Sequence, residues 1–197
     1  MSKRRATVER ATTETKVRVT VDLDEPGTVE AATGVPFFDH MLDQLGRHAR
    51  ISLQVSATGD LEVDAHHTVE DVGIALGEAL SRALGDKRGI RRYGDALVPM
   101  EESLAQAALD ISGRPLLAYD AVIPAEQIGQ YDVSLTEEFL HALARAGGLT
   151  LHVVLHRKKN AHHAVEAIFK AVAVALGAAV AIDPRAPQDV PSTKGTL

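Results

Sequence analysis

The sequence predicts an α+β fold of two similar halves, and three observations carry that prediction. A His-His-x-Val-Glu pattern occurs twice, as His66-His67-Thr68-Val69-Glu70 and as His162-His163-Ala164-Val165-Glu166. Each copy follows a stretch of alternating apolar residues and opens a segment with apolar residues at helical spacing. The chain has 197 residues, 45% apolar and 24% charged, so each half, at about a hundred residues, is small for a core of its own and the two are expected to pack as one unit.

Val17, Val19, Val21 and Leu23 alternate as in a half-buried strand that ends at a Glu25-Pro26-Gly27 turn, with Thr28 to Ala31 continuing it. Lys3 to Arg5 read as a solvated tail. Phe37 to Arg47 predicts a helix with Met41, Leu42 and Leu45 on its apolar side and His40, Gln44, Arg47 and His48 on the other. Ile51, Leu53 and Val55 give the next strand, Gly59-Asp60 a turn, and Leu61 to Asp64 a returning strand. Thr68 to Leu84 is then a helix that Gly85 caps. The second half has the same order. Leu104 to Ile111 and Leu116 to Ile123 are strands on either side of Gly113, and Ser134 with Glu137 suggests a capping box for a helix that Gly147-Gly148 ends. Leu149, Leu151, Val153 and Leu155 alternate along a strand that turns His152 and His156 to its other face, and Ala164 to Ile182 is the last helix.

Each half is therefore expected to be a roughly four-stranded mixed sheet with two helices on one face. Residues 1–90 form the first half and 91–182 the second. Residues 183–197, with three prolines and no periodicity, form a tail or functional loop.

Composition narrows the chemistry. The longest uninterrupted apolar stretch, Ala171 to Ile182, has twelve residues, short of the roughly 20 that a bilayer span needs. Lys3, Arg4, Arg5 and Arg10 lead into no apolar segment of the secretory kind, so the cytoplasm is the expected location. A net charge of -6 argues against a general nucleic-acid surface and for a small partner. With no cysteine, any metal must be held by nitrogen and oxygen.

The paired histidines point to such a metal. Residues i and i+4 share a helix face, so Glu70 lies near His66 or His67, and Glu166 near His162 or His163. Adjacent residues differ by about 100° in direction, so two neighbouring histidines reach two different ions more easily than one. Either motif alone reads better as a solvated helix start with a capping glutamate; the repetition favours a two-metal arrangement. Imidazole plus carboxylate suits zinc, iron, manganese or nickel and leaves the choice open. One chain has difficulty closing both shells by itself, so metal sites between chains are expected.

A set of motifs then follows in order: Phe38-Asp39-His40-Met41-Leu42, Gly46-Arg47-His48, Gly59-Asp60 before His66-His67-Thr68-Val69-Glu70-Asp71, Gly89-Ile90-Arg91-Arg92-Tyr93-Gly94, Val98-Pro99-Met100, Ser112-Gly113-Arg114-Pro115, His162-His163 to Glu166 with Phe169-Lys170-Ala171, and Pro191-Ser192-Thr193-Lys194-Gly195. From about Arg10 onward, this set resembles the imidazoleglycerol-phosphate dehydratase family of histidine biosynthesis. The resemblance implies a hydro-lyase that converts imidazole glycerol phosphate to imidazole acetol phosphate and water, with two manganese ions (Mn2+) per active site and a homo-oligomeric shell of 24 subunits. It also implies His40, His66, His67, Glu70, His152, His162, His163 and Glu166 as the metal ligands. His141 and His156 fall outside that set and read as surface residues. Two departures from the family pattern, Lys158-Lys159 in a turn that usually holds glycine and an acid, and Met100-Glu101-Glu102 for a more usual Met-Asp-Glu, touch no expected ligand.

A phosphorylated substrate needs positive charge and hydrogen-bond donors, which Arg92, Arg114, Lys170, Ser192 and Lys194 can supply. Gln44 and Arg47 are further candidates to face substrate. Dehydration must remove a carbon-bound proton that is not acidic and expel a hydroxide that leaves poorly. An imidazole ring held by a metal as imidazolate can push electrons into the glycerol chain, with the metal as Lewis acid and template. General acid–base work falls to carboxylates, and Glu14 leads because it precedes the Val17 strand at the position of a family substrate-contacting glutamate. His48 and Asp71 are expected to orient ligands or shuttle protons, Asp71 equally well as the partner of a ligating histidine. Two other classes use the same residues differently: a protein whose histidine–metal sites only join subunits, and a metallohydrolase acting on a phosphate ester.

Overall fold

The computed structural model describes residues 3–25 and 27–195. The first half runs β1 (Arg5–Ala11), β2 (Thr15–Asp22), β3 (Val29–Ala32), α1 (Pro36–Ala49), β4 (Ser52–Gly59) and α2 (His66–Leu84). The second runs β5 (Tyr93–Met100), β6 (Ser103–Asp110), β7 (Leu116–Asp120), the short pair β8 (Gln127–Ile128) and β9 (Tyr131–Asp132), α3 (Leu135–Gly147), β10 (Thr150–Arg157) and α4 (Ala161–Val180). The strand orders are β1-β2-β4-β3 and β5-β6-β10-β7, each with two antiparallel pairings and a parallel edge strand. The α+β fold of two similar halves, each a four-stranded mixed sheet with helices on one face, is therefore the observed one.

The two sheets turn their helix-covered faces toward each other. α1 and α2 lie on the first sheet and α3 and α4 on the second, while α2 packs on α3 and α1 on α4. The shared core is dominated by aliphatic side chains, among them Val19, Leu42, Leu53, Leu76, Leu151 and Ile168, with Phe38, Phe139 and Phe169 between the helices. Burying each Leu or Ile contributes about 1.5–3 kcal/mol. The α2/α3 contact is close because glycine makes it so: a Cβ on Gly77 would stand 2.7 Å from the Gly147 nitrogen and the Leu143 carbonyl oxygen. α4 is long and apolar enough to cross a membrane by length and composition, although its sequence is broken by Glu166 and Lys170, and 72% of its most apolar stretch is buried in the fold.

Several local expectations change. Lys3 to Arg5 is not a solvated tail: Arg4 pairs with Asp24 and donates to the Val180 carbonyl at 2.6 Å, Lys3 reaches Glu25 at 3.1 Å, and Arg5 opens β1. β1 escapes the pattern because only Val8 is fully buried in it, and β5 because apolar residues occupy both of its faces. Leu61 to Asp64 is a turn, closed by Val63 N–H to the Asp60 carbonyl at 2.8 Å, and not a strand. The capping box does not form. Ser134 Oγ donates to Asp132 Oδ1 at 2.6 Å, and its side chain makes no bond to the α3 backbone. β7 stops at Asp120, short of Ile123. Gly85 and Gly148 do cap α2 and α3. Pro26 in the expected Glu25-Pro26-Gly27 turn lies outside the described residues; Gly27 has φ +143°.

Candidate active site

The two histidine pairs open α2 and α4. Asn160 caps α4, its side chain accepting from His162 N–H at 2.9 Å and His163 N–H at 3.4 Å. At α2 the corresponding bond comes from Asp64, which accepts from His66 N–H at 2.7 Å. The rings within each pair diverge as helix geometry requires, with centroids 6.1 Å apart and planes at 89° for His66/His67 and 83° for His162/His163.

The packing of α1 on α4 assembles a cluster from both halves. His40, His162 and Glu166 bring one ligand atom each within 4.8 Å of one another, the one such group of three or more among the described residues. His162 Nε2 lies 3.1 Å and His40 Nε2 3.6 Å from Glu166 Oε2. Glu166 Oε1 is 2.6 Å from Lys170 Nζ, which also approaches the Met100 sulfur at 3.5 Å. Burial of Glu166 pushes its carboxyl upward, but the hydrogen bond and charge of Lys170, with His40 and His162, outweigh it and the pKa is lowered. Phe37 sets its ring edge-on to His162 at 5.1 Å, which fixes the imidazole from the apolar side. This nitrogen and oxygen donor set fits a divalent first-row ion.

His67 and His163 are each anchored by a carboxylate. His67 Nδ1 is 3.0 Å from Asp60 Oδ2 and 3.8 Å from Glu14 Oε2; His163 Nδ1 is 3.1 Å from Glu102 Oε2. Asp60, then burial and Glu14, act on His67, with the net effect that its pKa is raised. Glu102 is pulled down to about 2 by its own backbone N–H, by His163 and by the Asn160 N–H. Asp60 and Glu102 are not among the residues that the sequence points to as site residues. Gly59-Asp60 carried a signal as a turn seven residues before His67, but nothing local to Glu102 links it to His163.

Other expected residues divide into those the fold brings together and those it separates. Gln44 and His48 follow His40 at four-residue steps along α1, with His48 Nε2 3.2 Å from Gln44 Oε1. Burial first, and Lys170 second, lower the His48 pKa. Lys170 stands against Glu166. Arg47 points away to Asp43 at 2.7 Å. Asp71 takes a different part from the one expected: its buried carboxylate accepts from Arg10 Nε at 2.7 Å and from the Thr15 hydroxyl, so it ties α2 to the β1–β2 hairpin, and neither histidine pair bonds to it among the described residues. His66 and Glu70 are half-buried at the start of α2. His152 is exposed on the outer face of the second sheet, opposite Ala108 and Ala118. Among the described residues, neither it nor His66, His67 or Glu70 joins the His40 cluster.

Arg92 sits at φ +73°, its guanidinium on Asp110 at 2.7 and 3.1 Å and on the Pro191 carbonyl at 2.8 Å. It thereby fixes the segment carrying Ser192 and Lys194, where the Lys194 N–H donates to Ser192 Oγ at 3.2 Å. Arg114 follows Gly113 at φ +71°; its backbone is held by Ser112 and Thr150 while its side chain is exposed. His141 is exposed and His156 bonds Gln106 at 2.8 Å.

Known proteins resemble this chain in sequence and fold. The sequence model of the family described as imidazoleglycerol-phosphate dehydratase matches residues 33–176. The imidazoleglycerol-phosphate dehydratase of Symbiobacterium thermophilum is 57% identical over 197 residues, covering 100% of this chain and 94% of that protein. That of Dinoroseobacter shibae is 58% identical over 194 residues, 98% of this chain and 100% of its own. Among solved structures, the Staphylococcus aureus enzyme superposes with a TM-score of 0.83 at 37% identity, covering 91% of this chain and 99% of that one. The Pyrococcus furiosus enzyme gives 0.82 at 35%, covering 96% and 100%. The chain therefore belongs to the imidazoleglycerol-phosphate dehydratase family, an enzyme family of the hydro-lyase class.

Proposed function

We propose that this hydro-lyase of histidine biosynthesis converts imidazole glycerol phosphate to imidazole acetol phosphate and water as a Mn2+-dependent cytoplasmic enzyme, with two ions per active site. The observation that carries the metal reading is the convergence of His40, His162 and Glu166, donors from both halves, on one space. His66, His67, Glu70, His152 and His163 complete the proposed ligand set. The α2 and outer-sheet ligands do not meet that trio in one chain, so we place each complete site between subunits of a large homo-oligomer, of 24 chains as in the resemblance.

When bound, the ions supply Lewis acidity and a template that favours the deprotonated imidazole ring of the substrate. The chain's own residues do the rest. Glu14, exposed on the β1–β2 hairpin and 3.8 Å from His67, is placed to take or return a proton as a carbon-bound hydrogen and a hydroxyl leave as water. The resulting enol regains a proton on carbon and becomes the ketone. Arg114, Ser192 and Lys194 offer donors for the phosphate, with Arg92 holding the last two in place and its two uncommitted N–H groups available. Lys170 keeps Glu166 ionised beside His40 and His162.

Protein stripped of metal by chelation and reloaded with single ions tests this reading. Turnover, followed as the enolisable ketone, is expected to vanish on stripping and to return best with Mn2+, while sedimentation shows a smaller particle that regrows on reloading. Full turnover or an unchanged particle in the stripped protein overturns the metal-dependent reading. Release of inorganic phosphate in place of the ketone marks a hydrolase instead.

A further inference from the structure

The histidines that end the two pairs are held by carboxylates from different parts of the chain. In the second half the anchor is Glu102, one residue before Ser103 opens β6; it takes His163 Nδ1 at 3.1 Å and the Asn160 N–H at 3.0 Å. The equivalent residue of the first half is Glu14, one residue before Thr15 opens β2. Glu14 does not take the same part, because Asp60 already holds His67 Nδ1 at 3.0 Å and leaves Glu14 at 3.8 Å with its side chain 51% exposed. The sheet registers set Leu53 opposite Val21 and Leu151 opposite Leu109, so Asp60, at the end of β4, corresponds to the Lys158-Lys159 turn after β10, where no carboxylate stands. Each half thus anchors the second histidine of its pair with one carboxylate, and only the first half has another carboxylate near that histidine.

We propose that Asp60 and Glu102 are positioning residues. Each accepts from Nδ1–H, which fixes the tautomer and leaves Nε2 of His67 or His163 as the lone-pair donor to a divalent ion. Asp60 has a further part: by occupying His67 it keeps the hairpin carboxylate of Glu14 free for the substrate. The inference rests on the metal-dependent reading above, and it assigns to Asp60 and Glu102 the orienting part first sought in Asp71.

The test compares Asp60→Ala, Asp60→Asn, Glu102→Ala and Glu102→Gln with the wild-type chain, with folding checked by far-UV circular dichroism. Free Mn2+ is read by electron paramagnetic resonance during titration of the stripped proteins, independently of turnover. The two alanine variants should lose about 10- to 100-fold in Mn2+ affinity. Asn and Gln keep an acceptor for Nδ1–H and should recover part of that loss. At saturating Mn2+, Glu102→Ala should regain turnover while Asp60→Ala should not, because Glu14 is then drawn onto His67. A wild-type chain that takes up no Mn2+ overturns the metal reading and this role with it. Wild-type uptake with alanine variants unaffected, or amide variants no better than alanine, overturns the positioning role alone, and full recovery of Asp60→Ala overturns the protection of Glu14.

Discussion

Glu70 and Glu166 hold the same place in two copies of one motif, yet Glu166 is buried against His40, His162 and Lys170, while Glu70 is half-buried with no ion pair among the described residues. Two side chains make the difference. Four residues after Glu166 stands Lys170, and four after Glu70 stands Ile74. Ten residues before the left-handed cap of α1 at Arg50 stands His40, and ten before the cap of α3 at Gly148 stands Glu138. The backbone duplicated faithfully, down to which helix packs on which, but only the α1/α4 contact carries the imidazole and the lysine that assemble a ligand cluster inside one chain. His66, His67 and Glu70 of the α2 copy join no such cluster among the described residues, which is why we propose a complete site between subunits.

The largest expected effect separates the two hairpin glutamates. Glu14→Gln should lower turnover by about 100-fold or more at saturating Mn2+ while leaving the bound metal unchanged, because it removes the proposed acid–base group and none of the proposed ligands. Glu102→Ala should do the reverse, weakening metal binding and regaining turnover as Mn2+ is raised. Parallel measurements of metal content and ketone formation decide it. If both variants lose metal, or neither loses turnover, the halves have not divided these tasks.

A smaller effect separates the two motif glutamates in the metal-free chain. Glu166→Gln leaves the Lys170 ammonium, its side chain only 17% exposed, without its counter-charge and should destabilise the fold by about 2 kcal/mol. Glu70→Gln should change stability by less than about 0.5 kcal/mol, as surface substitutions do. Urea titrations of stripped protein read both values. Equal losses would show that the Lys170 contact does not distinguish the copies.

This asymmetry marks how far the sequence could be read. The duplicated pattern and the alternation in β2, β4 and β10 were enough for the fold class, because a period of two or of 3.6 is a one-dimensional signal. β1 and β5 were not legible: one exposes polar residues along most of its length, and the other is apolar on both faces. The His66/His67 and His162/His163 pairs were visible as motifs, and the divergence of their rings follows from helix geometry alone. Their anchors were not. Asp60 lies seven residues from His67, but Glu102 lies 61 residues from His163 and meets it only because β5, β6 and β10 share a sheet. Asp71 adjoins the first motif in sequence and yet faces the β1–β2 hairpin, because one helical step carries a side chain by about 100°.

The smallest expected effect concerns the arginines that precede the first strand of each half. Arg92, just before β5, grips Asp110 and the Pro191 carbonyl; Arg4, just before β1, grips Asp24 and the Val180 carbonyl. The Arg4 hydrogen bond lowers the Asp24 pKa, against a smaller opposing push from burial. A carboxylate whose folded pKa lies below its unfolded value contributes stability that is fully present above the unfolded value, about 3.9, and is lost as pH falls through the folded one. Asp24 is 42% exposed on its side chain, so solvent screening holds the contribution below about 1 kcal/mol. Asp24→Asn should therefore be slightly less stable than wild type at pH 6, with the gap closing as the pH is taken below about 4. Because every histidine is common to both proteins, their titrations cancel in the difference. Urea midpoints of the metal-free pair at several pH values check it: a gap that stays constant with pH would mean that Asp24 contributes through its hydrogen bonds to Arg4 and not through its charge.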